Sequence, residues 1–138
     1  MADGARRNGP GVLDAIHVLV VDDTPDVLDM IVEIVERGGA RVTSAATAER
    51  ALVLLEQERP DVLISDFDMP GHDGLWLIEQ VRRLPPERGG KTPAACLTGH
   101  TAPEDRASVL RAGFQYHVPK PIRPEQLLGI VTILALKS

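Results

Sequence analysis

Val62-Leu63-Ile64-Ser65-Asp66 is a short apolar run that ends in a carboxylate, and the same pattern recurs along the chain. Val18-Leu19-Val20-Val21 runs into Asp22-Asp23, and Ala94-Ala95-Cys96-Leu97 runs into Thr98. Runs of this length are too short for helices and fit strands buried on both faces, the habit of a parallel sheet. Two weaker strands complete the set. Arg41-Val42-Thr43-Ser44-Ala45 alternates as an edge strand does, and Tyr116-His117-Val118 leads into Pro119, which an edge tolerates.

Helical spacing fills the intervals. Val27, Ile31, Ile34 and Val35 form one stripe that stops at Gly38-Gly39. Thr47 is a good N-cap for a second helix carrying Ala48, Ala51, Leu52 and Leu55. Leu75, Ile78, Val81 and Leu84 form a third stripe before Pro85-Pro86. A short polar helix runs from Pro103 to Ala112 and stops at Gly113; the last carries Leu127, Val131 and Leu134. Strands and helices thus alternate strictly, with connections suited to right-handed crossovers, and the fold class is α/β with a five-stranded parallel sheet.

The chain of 138 residues is the size of one domain. Hydrophobic residues make up 43% and aromatics only 3%, so the core must be aliphatic. Residues 1–15 are polar and Gly/Pro-punctuated and read as a flexible tail, leaving 16–138 as the domain. A net charge of −5 argues against holding nucleic acid by phosphate neutralisation and against an anionic membrane. The single cysteine, Cys96, sits in an apolar run and reads as an inert buried thiol; with no internal disulfide possible, a cytoplasmic protein is expected. Arg6-Arg7 suggests a twin-arginine export signal, but Asn8-Gly9-Pro10-Gly11 follows where an apolar stretch is required.

The polar residues carry the functional reading. Asp22 and Asp23 follow one expected strand, and Asp66, Thr98 and Lys120 each close or follow another. In a parallel sheet those ends share one edge, where open α/β folds bind ligands. Three carboxylates gathered there repel one another, and a hard divalent cation resolves the conflict; Mg²⁺ suits carboxylates, waters and a phosphoryl oxygen. A lysine supplies a point charge for a phosphoryl group and a threonine a hydrogen bond. Phosphoryl transfer needs little else than positioning and neutralisation.

Val20-Val21-Asp22-Asp23, Ile64-Ser65-Asp66, Met69-Pro70-Gly71-His72-Asp73-Gly74, Leu97-Thr98, Ala112-Gly113-Phe114 and Lys120-Pro121 occur in that order. Together they make residues 16–136 resemble a receiver domain of the two-component response regulators. The resemblance implies a flavodoxin-like fold with the strand order 2-1-3-4-5 and helices on both faces of the sheet. It implies that Asp66 is the phosphoacceptor, taking a phosphoryl group from a histidine kinase or a histidine phosphotransfer domain. Asp23 and Asp66 would hold Mg²⁺ (or Mn²⁺) directly, Asp22 through water, and the backbone carbonyl of Asp68 would complete the set. Lys120 would pair with phosphoryl oxygens, Thr98 would swing in to bond them, and Lys120–Pro121 is a candidate cis peptide. Such a domain catalyses its own phosphorylation and dephosphorylation only, and is no enzyme in the ordinary sense.

Three positions tune that pattern. The family usually places Tyr or Phe three residues before the lysine as a partner to the threonine, whereas this chain has His117 there. Tyr116 is one residue off and points to the other face of its strand. His117 is therefore expected to take the switch role. Asp68 and His100 stand where the family modulates gain and loss of the phosphoryl group; an extra carboxylate at Asp68 should discourage anionic small-molecule donors.

Individually these residues have plainer explanations. Asp22-Asp23 could cap the helix that Thr24-Pro25 opens, Asp73-Gly74 is turn chemistry, His72 and His100 read as solvated loop residues, and Trp76 reads as packing. A rival function also exists: Asp66-Phe67-Asp68 resembles the first motif of haloacid-dehalogenase-like phosphohydrolases. That family places its acidic pair last, whereas Asp22-Asp23 come first here. A phosphorylation-independent pseudo-receiver is the third reading, opposed by the full set of five site residues. The output is expected to run through a protein partner on the face made by the fourth helix, fifth strand and fifth helix. The chain reads either as a single-domain regulator or as a receiver belonging to a longer protein such as a hybrid histidine kinase.

Overall fold

The structure, a computed structural model, describes residue 11 and residues 13–136. Five strands, β1 (His17–Val21), β2 (Arg41–Ala45), β3 (Val62–Asp66), β4 (Ala94–Thr98) and β5 (Tyr116–Pro119), form one sheet in the order β2-β1-β3-β4-β5. Every pairing is parallel. The crossovers are α1 (Pro25–Arg37), α2 (Ala48–Glu58), α3 (Gly74–Arg83) and α4 (Pro103–Ala112), with α5 (Pro124–Leu136) after the last strand and a 3-10 turn at Pro86–Arg88. The expected strand order and both expected edges are therefore present.

Alternation along the central strands divides the core in two. Leu19, Val21, Leu63, Ala94 and Cys96 pack with α2, α3 and Val109 of α4. Val18, Val20, Val62, Ile64, Ala95 and Leu97 pack with Ile31 and Val35 of α1 and Leu127, Val131 and Leu134 of α5. Successive side chains on a strand face opposite ways, so a run apolar at every position needs a helical layer on each side. Each fully buried Leu, Ile or Val contributes about 1.5–3 kcal/mol relative to exposure. Cys96 lies wholly inside, and burial, the largest cause, pushes its thiol far above the ordinary range, so it is inert.

Two helical stripes sit slightly differently from expectation. In α3 the buried set is Gly74, Leu77, Ile78 and Val81, while Leu75 and Leu84 are only partly covered. A strict three-residue spacing drifts around a helix of 3.6 residues per turn, so Leu77, four before Val81, closes the stripe better than its ends. In α2 Leu54 is buried and Leu52 is peripheral for the same reason. Caps follow the sequence: Thr47 accepts from the Arg50 amide, and Asp73 accepts from that of Trp76 at 2.9 Å.

Most of the stretch expected as a tail, residues 1–10 and 12, lies outside the described residues. Leu13 does not: it is fully buried, and its N–H donates to the Gly38 carbonyl at 2.9 Å. Packing against the end of α1 thus begins three residues before the expected boundary at 16.

Candidate functional site

The parallel ladder itself gathers the site. Val21 pairs with both Ala45 and Ser65, and the next residue, Asp22, extends the ladder by donating its N–H to the Ala45 carbonyl. Asp66 ends β3 opposite Leu97, and Thr98 ends β4 opposite Pro119. The Lys120 N–H then donates to the Thr98 carbonyl at 2.8 Å. Residues scattered through the sequence thus reach one edge because their strands stop in register. Gly74 lets α3 start against that edge: a Cβ there would lie 2.6 Å from the Asp66 carbonyl oxygen.

Asp22, Asp23 and Asp66 each present a carboxylate oxygen, and these atoms lie within 4.8 Å of one another. Asp22 and Asp66 are buried and Asp23 partly so. Asp22 Oδ1 accepts from the Thr24 N–H at 2.9 Å, a tie that sets the turn into α1. Its Oδ2 is buried with no hydrogen-bond partner among the described residues. Burial raises the Asp22 pKa above its ordinary value, and the neighbouring charges of Asp66 and Asp23 add to this against the Thr24 bond and Lys120.

Lys120 Nζ sits 2.7 Å from Asp66 Oδ1 and 3.9 Å from Asp22 Oδ2. Burial disfavours its charge, yet the hydrogen bond and the charge of Asp66, with Asp22 and Asp68 behind it, outweigh that and hold its pKa above the ordinary value. One ammonium among three carboxylates leaves the edge with excess negative charge. The orphaned Asp22 Oδ2 and an all-oxygen donor set match a hard divalent cation. A groove of roughly 370 Å³ lined by Asp23, Asp68, Met69, Pro70, Gly71 and Asp73 adjoins these oxygens.

The loops around the acids are tied together through His100. Thr98 is buried, and its hydroxyl accepts from the His100 N–H at 2.8 Å. The His100 ring lies against Phe67, and its Nε2 bonds Asp68 Oδ2 at 2.8 Å. His117 Nε2 donates to the His100 carbonyl at 2.7 Å. Tyr116 joins the core on the α1 and α5 side, opposite His117, as strand alternation requires. Lys120–Pro121 is cis.

Two plain readings of the sequence give way here. His100 is no simply solvated loop residue, because three of its polar atoms are engaged on separate segments. His72 stacks on Trp76 with ring centroids 3.9 Å apart and lies 3.7 Å from Glu49. The Asp68–His100 bond and the approach of His72 to Glu49 join segments that only the assembled layers bring together, whereas the His72–Trp76 stack is local, between residues four apart.

A family model described as the response regulator receiver domain matches residues 18–132. The chain belongs to this family. A 14.6 kDa uncharacterized protein of Leptolyngbya boryana is 44% identical over 86% of this chain and 89% of its own length. The sensor protein GacS of Pseudomonas syringae is 34% identical over 90% of this receiver. The matched stretch makes up only 14% of GacS. Among solved structures, the receiver domain of Francisella response regulator 1452 superposes with a TM-score of 0.81 at 28% identity, covering 88% of this chain and 98% of that one. The Vibrio cholerae chemotaxis response regulator CheY4 superposes at 0.79 with 31% identity, covering 86% and 98%. The fold and the two-component family of this receiver are thereby established.

Proposed function

We propose that this receiver accepts a phosphoryl group on Asp66 and uses it to change what its surface binds. The observation that carries the reading is the Lys120 ammonium at 2.7 Å from Asp66 Oδ1, beside the buried carboxylates of Asp22 and Asp23. An Asp66 carboxylate oxygen attacks phosphorus of a phosphohistidine; the P–O bond forms, the P–N bond breaks, and the donor imidazole leaves with the bonding pair and takes up a proton. Lys120 stays beside the acceptor and neutralises charge on the transferred group. The Thr98 hydroxyl, at the end of the adjacent strand, supplies a hydrogen bond to it.

Asp22, Asp23 and Asp66, with the Asp68 backbone carbonyl, would hold Mg²⁺ or Mn²⁺. When bound, such a cation supplies charge neutralisation and orientation for phosphoryl oxygens. Donors of the right chemistry are histidine kinases or histidine phosphotransfer domains. The downstream partner is a protein reading the face of α4, β5 and α5, where α5 keeps Ile133 and Leu136 exposed. His117 on β5 takes the switch role. The domain turns over only its own phosphoryl group, acts in the cytoplasm and binds no nucleic acid. Its acidic charge and the lack, among the described residues, of a helix long and apolar enough to cross a membrane support this setting.

The test is to incubate wild type and Asp66→Ala with Mg²⁺ and a radiolabelled phosphohistidine donor. Acid-stable, base-labile label on wild type alone is the expected result. Absence of label, with the donor competent towards another receiver, overturns the reading in favour of a pseudo-receiver. Continuous release of phosphate from a phosphomonoester overturns it in favour of a hydrolase.

A further inference from the structure

The loop between β3 and α3 is held by its side chains far more than by its backbone. Its ends are closed where the Gly74 N–H donates to the Phe67 carbonyl at 2.9 Å. Between them, residues 68–72 make no backbone–backbone hydrogen bond among the described residues. Pro70 has no N–H to give, and Gly71 sits at φ +78°, so the main chain has little to fix it at its tip. Three side chains tie this stretch down. Met69 is buried in the core beside α2 and α3, and Asp68 bonds His100. His72 lies flat on the Trp76 indole, with centroids 3.9 Å and planes 13° apart.

We infer that His72 is a positioning residue for the cation site, fixing through its stack on Trp76 where the Asp68 carbonyl stands. The inference rests on the reading in which that carbonyl completes the oxygen set of Asp22, Asp23 and Asp66.

Trp76 is a firm base for the stack. Its N–H donates to Asp73 Oδ1 at 2.9 Å, and its side chain packs against the core on the α2 and α3 side. His72 stands immediately before the capping Asp73, and a contact from that position to the first turn fixes the angle at which the chain enters a helix. With both ends of the loop closed, the main chain cannot move at His72 without moving at Asp68. Once His72 leaves the indole, Gly71 lets the chain turn and no backbone bond resists. The Asp68 side chain keeps its hold on His100, but its carbonyl lies on the other side of the Cα and is free to rotate. Mg²⁺ demands near-ideal octahedral geometry at about 2.0–2.1 Å, so a carbonyl that wanders by a fraction of an ångström is a poor ligand.

The ring overlap, and not the charge pair, carries this hold. His72 Nε2 is 3.7 Å from Glu49 Oε2, and both side chains are about half exposed, the setting in which an ion pair contributes least.

The test uses the full chain with Mn²⁺ alone as the probe, the free ion being counted by electron paramagnetic resonance. His72→Ala should weaken Mn²⁺ binding about tenfold, the scale for removing a group that orients a metal ligand. It should also move the emission of Trp76, the single tryptophan, to longer wavelength as water reaches the indole. His72→Gln, polar but without a ring, should match it, and carries the test if the alanine variant fails to fold. His72→Phe should restore both readouts, and Glu49→Gln should leave both as in wild type. Removing an imidazole, which can carry positive charge, would by electrostatics alone tighten cation binding, so the expected weakening has the opposite sign. Wild-type affinity in His72→Ala and His72→Gln, or equal weakening in His72→Phe, overturns the positioning role and leaves the cation site standing. A wild type that binds no Mn²⁺ overturns the cation reading first, and the positioning role with it.

Discussion

Replacing Asp22 by Asn should make the metal-free protein more stable and the metal-loaded protein comparatively worse. Asp22 is buried, its Oδ2 lacks a hydrogen-bond partner, and two more carboxylates crowd it. An unsatisfied buried polar group costs about 1–3 kcal/mol, and more when charged. An Asn amide keeps the Oδ1 bond to Thr24 and turns the orphaned acceptor into a donor facing carboxylates, so a gain of about 1–2 kcal/mol is expected. For a chain of this size that is a rise in Tm of about 3–8 °C. The effect has a defined pH dependence. The folded-state pKa of Asp22 is raised above its ordinary 3.8, so the folded state holds this proton more tightly than the unfolded chain does. Ionisation therefore removes stability from wild type as pH climbs from 3.8 through the raised folded value. The advantage of Asn vanishes at the acid end and is complete above that window. Magnesium should act oppositely: at tenfold its Kd it adds about 1.4 kcal/mol to wild type by linkage, and far less to the variant. Differential scanning calorimetry in chelator and in Mg²⁺ reads both arms. A variant that melts below wild type in chelator at neutral pH would refute the reasoning.

Other consequences are accessible to simpler assays. Asp68→Asn removes a charge from the mouth of the site and should speed labelling by acetyl phosphate about threefold to tenfold, the scale of one charge a few ångströms away in wet surroundings; an unchanged rate would show that Asp68 does not repel anionic donors. His17 is buried, bonded to Thr43 and close to Glu58, and its pKa is lowered by burial first and by Arg41. Its unfolded form takes up a proton that the folded form refuses, so stability should fall as pH drops below 6.5 towards the lowered folded value, and urea titrations of His17→Gln should lack that component. Arg82 bonds the carbonyls of Gly113, Gly90 and Thr92, so Arg82→Met should lose about 2–4 kcal/mol in urea unfolding, with Arg82→Lys recovering only part because one ammonium cannot span all three.

The sheet was readable because its three central strands carry continuous apolar runs that stop at polar residues, while the two edge strands gave a weaker, more polar pattern. Val62 to Ile64 can be little else than a strand covered on both sides, and Asp66 must then stand at the sheet's edge. Each site carboxylate follows from that logic, since parallel strands align their ends. The helix faces were readable to within a neighbour: Leu77 and Leu54 replaced Leu75 and Leu52 in the buried sets. Contacts between loops were not readable. The Asp68–His100 bond depends on how far loops from separate crossovers lean towards each other, and the His72–Trp76 stack on how the loop before α3 folds back over that helix's first turn. Arg82 gave no signal either: an arginine in the last turn of a helix looks like a solvated charge, and only the fold reveals the three carbonyls it reaches.

The ion pair between Lys120 and Asp66 joins residues 54 positions apart, and the strand that delivers the lysine is the last one laid down. A chain growing from the ribosome therefore displays its acidic residues long before it owns the cation that balances them. Until β5 docks beside β4, those carboxylates lack the ammonium that stands 2.7 Å from Asp66 Oδ1. Closing the sheet with β5 is thus also the step that delivers the balancing charge to its acidic edge.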